Sequence, residues 1–284
     1  MLRRPDKNEF GECVEKAYML AANPEKSSFP SYADGIKTKE DFFEVAQKGF
    51  ESDCDEILVF EKDGEMLGWI HFYFLTEDRY IGFEAFETDG CADGQTAEIV
   101  EYLKEKYDGY EINIGFPSQN EKAIKAFCEN GFEKLEESAV NILFFENYEP
   151  RTESEFVVPL TKENLPLFKK LHDPVEMYWN TERLTKAYFD GDKWRIYIYE
   201  DGERTAALYF VFTENIAEIF GLDFSDGFDA EAAEALLATA LNEAKKKSGT
   251  KAMYWFSENS LETELAKKAG AEKFTDYKAY KKIL

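Results

Sequence analysis

The chain contains an internal repeat, and this repeat constrains the possible folds more than any other feature of the sequence. The matching segments are residues 57–74 with 195–212, residues 86–90 with 223–227, and residues 118–135 with 257–274. The first pair places strand-like runs around an Asp-Gly turn, which favours a β-hairpin because type I′ turns need positive φ. Three matches in one order at a nearly constant offset indicate two domains built on one plan.

Both halves have the same predicted order of elements: two helices, a three-strand meander, a helix, a strand, a helix and two final strands. The spacing of apolar residues predicts first-half helices near residues 10–21, 39–50, 94–107 and 120–130. This order predicts an α+β fold with a mixed, mostly antiparallel sheet flanked by helices. The join falls in the polar segment 147–155. The predicted domains are therefore residues 1–149 and residues 150–284, and both are long enough to form a core.

The charge balance argues against two classes of partner. The chain has 34 Lys and Arg residues and 58 Asp and Glu residues, which gives a net charge of −24. An acidic surface repels nucleic-acid phosphates and anionic lipids, so neither nucleic acid nor a membrane is expected as a partner. An acidic cleft would concentrate a cationic amine, although a high negative charge also simply keeps a protein soluble.

Cysteine and histidine usage suggests a cytoplasmic protein without a metal. No export signal is visible, and no apolar run approaches the ~18 residues of a membrane helix. The four cysteines form no CxxC pair, so we expect reduced thiols. His71 and His172 are the two histidines, which excludes an HExxH motif. We expect structural roles for both, with His172 near a helix end. A homo-oligomer is compatible with the sequence.

One segment resembles a known motif. Residues 120–132, NEKAIKAFCENGF, place Asn120, Ala123, Gly131 and Phe132 as in the acetyl-CoA-binding helix of the GNAT superfamily of N-acetyltransferases. The same residues would also suit an ordinary helix with an Asn N-cap and a Gly after its end. The element order and the duplication extend the resemblance, so that the whole chain resembles tandem-GNAT proteins. The first half keeps more of the motif and is the expected acetyl-CoA-binding half.

The resemblance assigns a second region, residues 89–94, to the pyrophosphate of acetyl-CoA. In the family, backbone N–H groups of this loop hold the pyrophosphate at the N-terminus of a helix. Asp89 stands where a basic or amide residue is usual, and Asp93 lies inside the loop. The family's pantetheine arm would lie along the third meander strand and reach Asn120. The residues assigned to acetyl-CoA by resemblance are Gly82, Phe86, Gly90, Ala92, Gly94, Gln95, Asn120 and Phe127.

The resemblance also implies a reaction, which is transfer of an acetyl group from acetyl-CoA to a small-molecule amine by direct attack. The general base would be a carboxylate on the third meander strand, either Glu84 or Glu87. Strand alternation places Glu84 with Phe86 on one face and Glu87 on the other. Many family members protonate the leaving thiolate with a tyrosine, and Phe127 stands at that position. The alternative function is a non-catalytic GNAT-like binding module that has lost acetyl-CoA turnover.

Overall fold

The computed structural model describes residues 1–172, 178–213 and 215–284. The chain forms two compact units. Unit 1 comprises Met1–Ser138 together with Thr275–Leu284, and unit 2 comprises Ala139–Phe274. Each unit combines helices with a mixed, mostly antiparallel sheet, which confirms the predicted α+β class.

From the first helix to the last, the elements follow the predicted order in both halves of the sequence, but each half begins with an additional short strand and ends with one continuous strand where two were predicted. The first half contains β1 (Leu2–Arg3), α1 (Phe10–Ala21), α2 (Lys39–Glu51), β2 (Asp55–Lys62), β3 (Glu65–Leu75), β4 (Tyr80–Thr88), α3 (Ala92–Lys106), β5 (Glu111–Pro117), α4 (Glu121–Glu129) and β6 (Glu133–Phe144). The second half contains β7 (Val157–Pro159), α5 (Leu165–Leu171), α6 (Thr181–Asp190), β8 (Trp194–Asp201), β9 (Arg204–Phe212), β10 (Ile216–Phe224), α7 (Ala230–Lys246), β11 (Ala252–Ser257), α8 (Ser260–Ala269) and β12 (Glu272–Ile283).

Each unit receives a strand from the other half of the sequence. In unit 1 the strand order is β1-β2-β3-β4-β5-β12, and β12 pairs antiparallel with β5 through residues 277–283. In unit 2 the order is β6-β11-β10-β9-β8-β7, and residues 139–144 of β6 pair antiparallel with β11. The two units therefore do not coincide with a linear division at residue 149. Alternation along a strand defines its buried face but does not specify the strand with which it pairs.

Helices cover both faces of the unit 1 sheet. Val14 of α1 and Phe42 of α2 pack with Trp69 on one face. Ile99 of α3 and Phe127 of α4 belong to the core on the other face. The β2–β3 hairpin turns at Asp63 and Gly64, which have φ values of 54° and 80°, as the Asp-Gly signal predicts.

A β-bulge interrupts β4 in the region to which the resemblance assigns the pantetheine arm. Phe72 pairs with Phe83 and His71 pairs with Ala85, so Glu84 is an extra residue in β4. Only residues 80–82 of β4 pair with β5, in parallel. Beyond them the two strands separate, and we call the space between residues 83–88 of β4 and residues 114–117 of β5 the β4–β5 slot.

Candidate functional site

The β4–β5 slot is filled by the protein's own chain. Residues 26–29, which we call the 26–29 segment, belong to the loop between α1 and α2 and lie against β4. The N–H of Thr88 donates to the carbonyl oxygen of Lys26 at 2.9 Å. The N–H of Phe86 donates to Oγ of Ser28 at 2.8 Å. Two backbone donors of the strand expected to hold the pantetheine arm are therefore already used.

The same segment is bonded to β5 and α4. The N–H of Phe29 donates to the carbonyl oxygen of Gly115 at 2.8 Å. Nδ2 of Asn120 donates to the carbonyl oxygen of Ser27 at 2.9 Å, and Oδ1 of Asn120 caps α4 by accepting from the N–H of Ala123 at 3.2 Å. Asn120 is fully buried, and both ends of its amide are bonded within the chain.

Among the described residues, several buried polar atoms of the 26–29 segment, β4 and α3 have no hydrogen-bond partner. The unpartnered atoms in this region are Oγ of Ser27, Oε2 of Glu87, Oγ1 of Thr88, Oε1 of Gln95 and Oγ1 of Thr96. Gln95 connects α3 to β4, because its Nε2 donates to the carbonyl oxygen of Glu87 at 3.0 Å. Buried polar groups are normally bonded, so this concentration marks a strained or functional region.

The two candidate bases differ in their surroundings. Glu87 is only 1% exposed, and burial raises its pKa well above the ordinary value, opposed only by the backbone N–H of Ser28. Glu84 is half-buried, and burial raises its pKa too, with a smaller opposing effect from His71. A carboxyl with a raised pKa is a stronger base once ionised, and Glu84 is the more accessible of the two.

A histidine–aspartate pair lies beside Glu84. Nε2 of His71 and Oδ1 of Asp55 are 2.9 Å apart, and His71 is 2% exposed. Although burial opposes it, hydrogen bonds from His71 and Ser52 lower the pKa of Asp55. The bulge brings Glu84 to this pair, whereas Phe86 lies in the core beneath α3 and α4. Glu84 and Phe86 therefore do not lie on the same face of β4, although regular alternation predicted that they would.

Three residues that the resemblance assigns to acetyl-CoA pack against aromatic side chains in unit 1. A Cβ at Gly82 would lie 2.4 Å from the ring of Tyr73, so the glycine admits that ring. The rings of Phe86 and Phe127 have centroids 4.9 Å apart, and both side chains are fully buried. Phe127 also packs on Phe116 at 5.1 Å. Their roles toward acetyl-CoA remain predictions.

The N-terminus of α3 is open to a cleft of about 400 Å³. The N-cap residue Cys91 makes no side-chain capping bond. The cleft is lined by Gly90, Cys91, Ala92, Asp93, Gly94, Phe60, Lys62, Lys122 and Lys125. Gly90 has a φ of 82°, a conformation that favours glycine. A Cβ at Gly94 would meet only Cζ of Phe60, at 3.7 Å, so this position leaves room.

The charges around this cleft favour an anion more than the sequence suggested. Asp89 is paired with Lys26, whose Nζ lies 2.6 Å from its carboxylate. Lys125 pairs loosely with Glu129 at 3.6 Å. Lys62 and Lys122 have no ion-pair partner among the residues that the structure describes. The sequence did not predict this group of lysines, because Lys62 comes from the β2–β3 hairpin and the other two from α4. Only the i, i+3 spacing of Lys122 and Lys125 was visible in the sequence.

The corresponding helix of unit 2, α7, begins differently. Its N-cap residue Asp229 accepts from the N–H groups of Glu231 at 3.0 Å and Ala232 at 3.1 Å. Arg204 holds the same carboxylate through two hydrogen bonds of 2.8 and 3.1 Å. On β10, Oδ2 of Asp223 lies 3.0 Å from Nδ1 of His172, the C-cap residue of α5. The polar groups at the start of α7 are thus bonded within the chain.

Comparison with known proteins identifies the fold. No family model matches the sequence, and no curated protein matches it. A GCN5-related N-acetyltransferase from Sphaerobacter thermophilus matches 100% of this chain and 95% of that chain, with 14% identity and a TM-score of 0.63. A tandem GNAT protein from the clavulanic acid biosynthesis pathway matches 100% of this chain and 98% of that chain, with 12% identity and a TM-score of 0.54.

A third structure is a glucosamine N-acetyltransferase region of a fungal β-N-acetylglucosaminidase. The match covers 99% of this chain but 38% of that chain, with 9% identity and a TM-score of 0.60. These similarities confirm the predicted tandem GNAT fold. Within the described ranges, no helix has the length and apolar character needed to cross a membrane.

Proposed function

We propose that the protein is an N-acetyltransferase that transfers an acetyl group from acetyl-CoA to a small-molecule amine, with the phosphate end of acetyl-CoA bound by unit 1. The observation that carries the proposal is the uncapped N-terminus of α3, which opens into a lysine-lined cleft. Free N–H groups and the helix dipole attract an anion, and nearby ammonium groups add to that attraction. The acidic surface elsewhere disfavours nucleic acid as the anion. We also propose that the protein acts in the cytoplasm.

Within this proposal Glu84 is the base. Its carboxylate, acting through a water molecule, removes a proton from the ammonium form of the acceptor. The neutral amine then attacks the thioester carbon, a C–N bond forms, and the C–S bond breaks to release the thiolate of CoA. Phe127 has no proton to give, so the thiolate takes its proton from water or from the nitrogen. Glu87 is too deeply buried to share the role of Glu84 in this conformation.

A second candidate is the non-catalytic binding module. The filled β4–β5 slot favours it, because the site expected for the pantetheine arm is occupied by the 26–29 segment. The phosphate end of the ligand fits the residues present, whereas the arm does not fit this conformation. Such a module would bind an anionic nucleotide without transferring an acyl group.

The first experiment is calorimetric titration of the full chain with acetyl-CoA. We expect Gly94→Glu to abolish binding, because a carboxylate would enter the cleft at the helix N-terminus. Gly94→Ala is the matched control, since the position has room for a Cβ, and it should bind as the natural protein does. Unchanged affinity in Gly94→Glu would contradict the proposed site. Acetylation assays with a panel of amines then separate an enzyme from a binding module.

A further inference from the structure

We propose that the 26–29 segment is a plug that competes with the pantetheine arm of acetyl-CoA for the β4–β5 slot. This inference rests on the proposed function, and it adds an autoinhibitory contact that acetyl-CoA must displace. The plug is a part of the chain that no motif in the sequence distinguishes. It lies between a strand that offers backbone donors and a helix whose N-cap amide reaches into the slot.

The contacts of the plug involve every wall of the slot. Thr88 and Phe86 donate to it from β4, at 2.9 and 2.8 Å. The plug donates in turn to Gly115 of β5, and it accepts from Asn120 at the start of α4. Ser27 and Ser28 are both fully buried. An extended ligand could therefore not use the donors of β4 while the plug remains in place.

The plug satisfies the slot incompletely. Phe86 donates to a side-chain hydroxyl of Ser28 rather than to a backbone carbonyl, so the contact is not a regular strand pairing. Oγ of Ser27, Oε2 of Glu87 and Oγ1 of Thr88 are left buried without partners. Each buried polar atom without a partner is unfavourable. The filled slot is therefore less stable than one whose polar atoms are all bonded, which makes displacement by a ligand feasible.

The loop that carries the plug is fixed at its far end. Oδ1 of Asp34 accepts from the N–H groups of Ile36 at 2.7 Å and Lys37 at 2.9 Å, just before α2 begins. At the near end, Nζ of Lys26 pairs with the carboxylate of Asp89, which borders the anion cleft. This ion pair anchors the first residue of the plug, and neither Lys26 nor Asp89 is among the residues that line the cleft. The phosphate end can therefore bind in the cleft without displacing the plug.

The test compares acetyl-CoA with adenosine 3′-phosphate 5′-diphosphate, which carries the phosphates of CoA but no pantetheine arm. Ser28→Ala removes the acceptor of the Phe86 N–H and weakens the plug. Because loss of one buried hydrogen bond shifts the opening equilibrium by on the order of tenfold, affinity for acetyl-CoA should rise by about that factor. Affinity for the armless nucleotide should not change. Ser31→Ala is the matched control, since the hydrogen bond that Oγ of Ser31 makes to the described part of the chain is local, from the N–H of Ala33 at 3.2 Å.

Hydrogen exchange provides a readout that does not depend on turnover. The N–H of Phe29, now bonded to Gly115, should exchange faster when acetyl-CoA binds and should be unaffected by the armless nucleotide. If both ligands bind, but Ser28→Ala leaves their affinity ratio unchanged and the Phe29 N–H stays protected, the plug is wrong and the proposed function stands. If neither ligand binds the natural protein or Ser28→Ala, the proposed function fails and the plug fails with it.

Discussion

The starts of α3 and α7 occupy the same position in the two halves of the repeat, but their chemistry is opposite. The N–H groups at the start of α3 have no side-chain cap and face three lysines. Those at the start of α7 are capped by Asp229, which Arg204 holds in place. One helix can therefore receive an external anion, whereas the other has an internal one. The two units thus share a fold, but the described N-termini of these two matching helices differ in whether a side chain of the same unit caps them.

A carboxylate on the third meander strand of each unit, Asp223 of β10 and Glu87 of β4, shows a similar difference. Asp223 of unit 2 is bonded to His172. Glu87 of unit 1 is buried with one oxygen unpartnered. Groups that satisfy each other stabilise a fold, whereas unsatisfied groups are concentrated where function requires them. We infer that unit 2 mainly supports the chain and that ligand chemistry belongs to unit 1.

The largest expected effect tests a second difference between the units, which is how a matching pair of helices, α4 and α8, packs into its core. Phe127 of α4 is fully buried among aromatic rings, and the matching residue of α8 is Ala266. Phe127→Ala should lower the free energy of unfolding by about 3–5 kcal/mol, because it leaves a cavity in a packed core. Urea unfolding measures the loss, and hydrogen exchange should localise it to α4 and leave α8 protected.

Phe127→Tyr provides the companion variant. The added hydroxyl would be buried among rings without an evident partner and should cost about 1–3 kcal/mol. If Phe127→Tyr is as stable as the natural protein and acetylates amines faster, the ring position is part of the active site. In that case the packing role inferred from the structure would be incomplete.

The repeat, the fold class and the hairpins could be predicted from the sequence because they depend on local patterns. The Asp63–Gly64 turn and the Asn120 N-cap are local features of this kind. The exchange of β6 and β12 between the units could not be predicted, since alternation along a strand defines its buried face but does not specify the strand with which it pairs. The plug was also not predictable, because Ser27 and Ser28 resemble ordinary loop residues until β4 and β5 are seen to separate.

The next prediction concerns pH and tests the contrast between Glu87 and Asp223. Burial raises the pKa of Glu87 above its unfolded value, so the folded protein holds a proton that the unfolded chain releases. Its contribution to stability is therefore complete below the ordinary pKa of glutamate and is lost as the pH rises through the folded-state pKa. This loss has a slope of at most about 1.4 kcal/mol per pH unit.

Glu87→Gln removes the titration and keeps a neutral side chain of the same shape. The difference in unfolding free energy between the natural protein and this variant should therefore change with pH in favour of glutamine as the pH rises. Urea unfolding across a pH series measures it. Asp223→Asn serves as the comparison, because its natural partner is a histidine. A pH-independent difference for Glu87→Gln would mean that this carboxyl is ionised in the fold.

The smallest effect concerns the cap of α7 and sharpens the contrast between the two helix N-termini. Asp229→Ala removes the acceptor for two backbone N–H groups and should lower the unfolding free energy by about 1 kcal/mol. Asp229→Ser keeps a capping oxygen but loses the charge facing Arg204, so it should recover most of that stability. Hydrogen exchange in the first turn of α7 measures both variants.

In Asp229→Ala the freed N–H groups lie beside Arg204 and resemble those of α3, so weak phosphate binding should appear in calorimetry. If Asp229→Ala loses the stability but gains no affinity for phosphate, an open helix end and one cation are not sufficient, and the three lysines of unit 1 are what distinguishes its cleft.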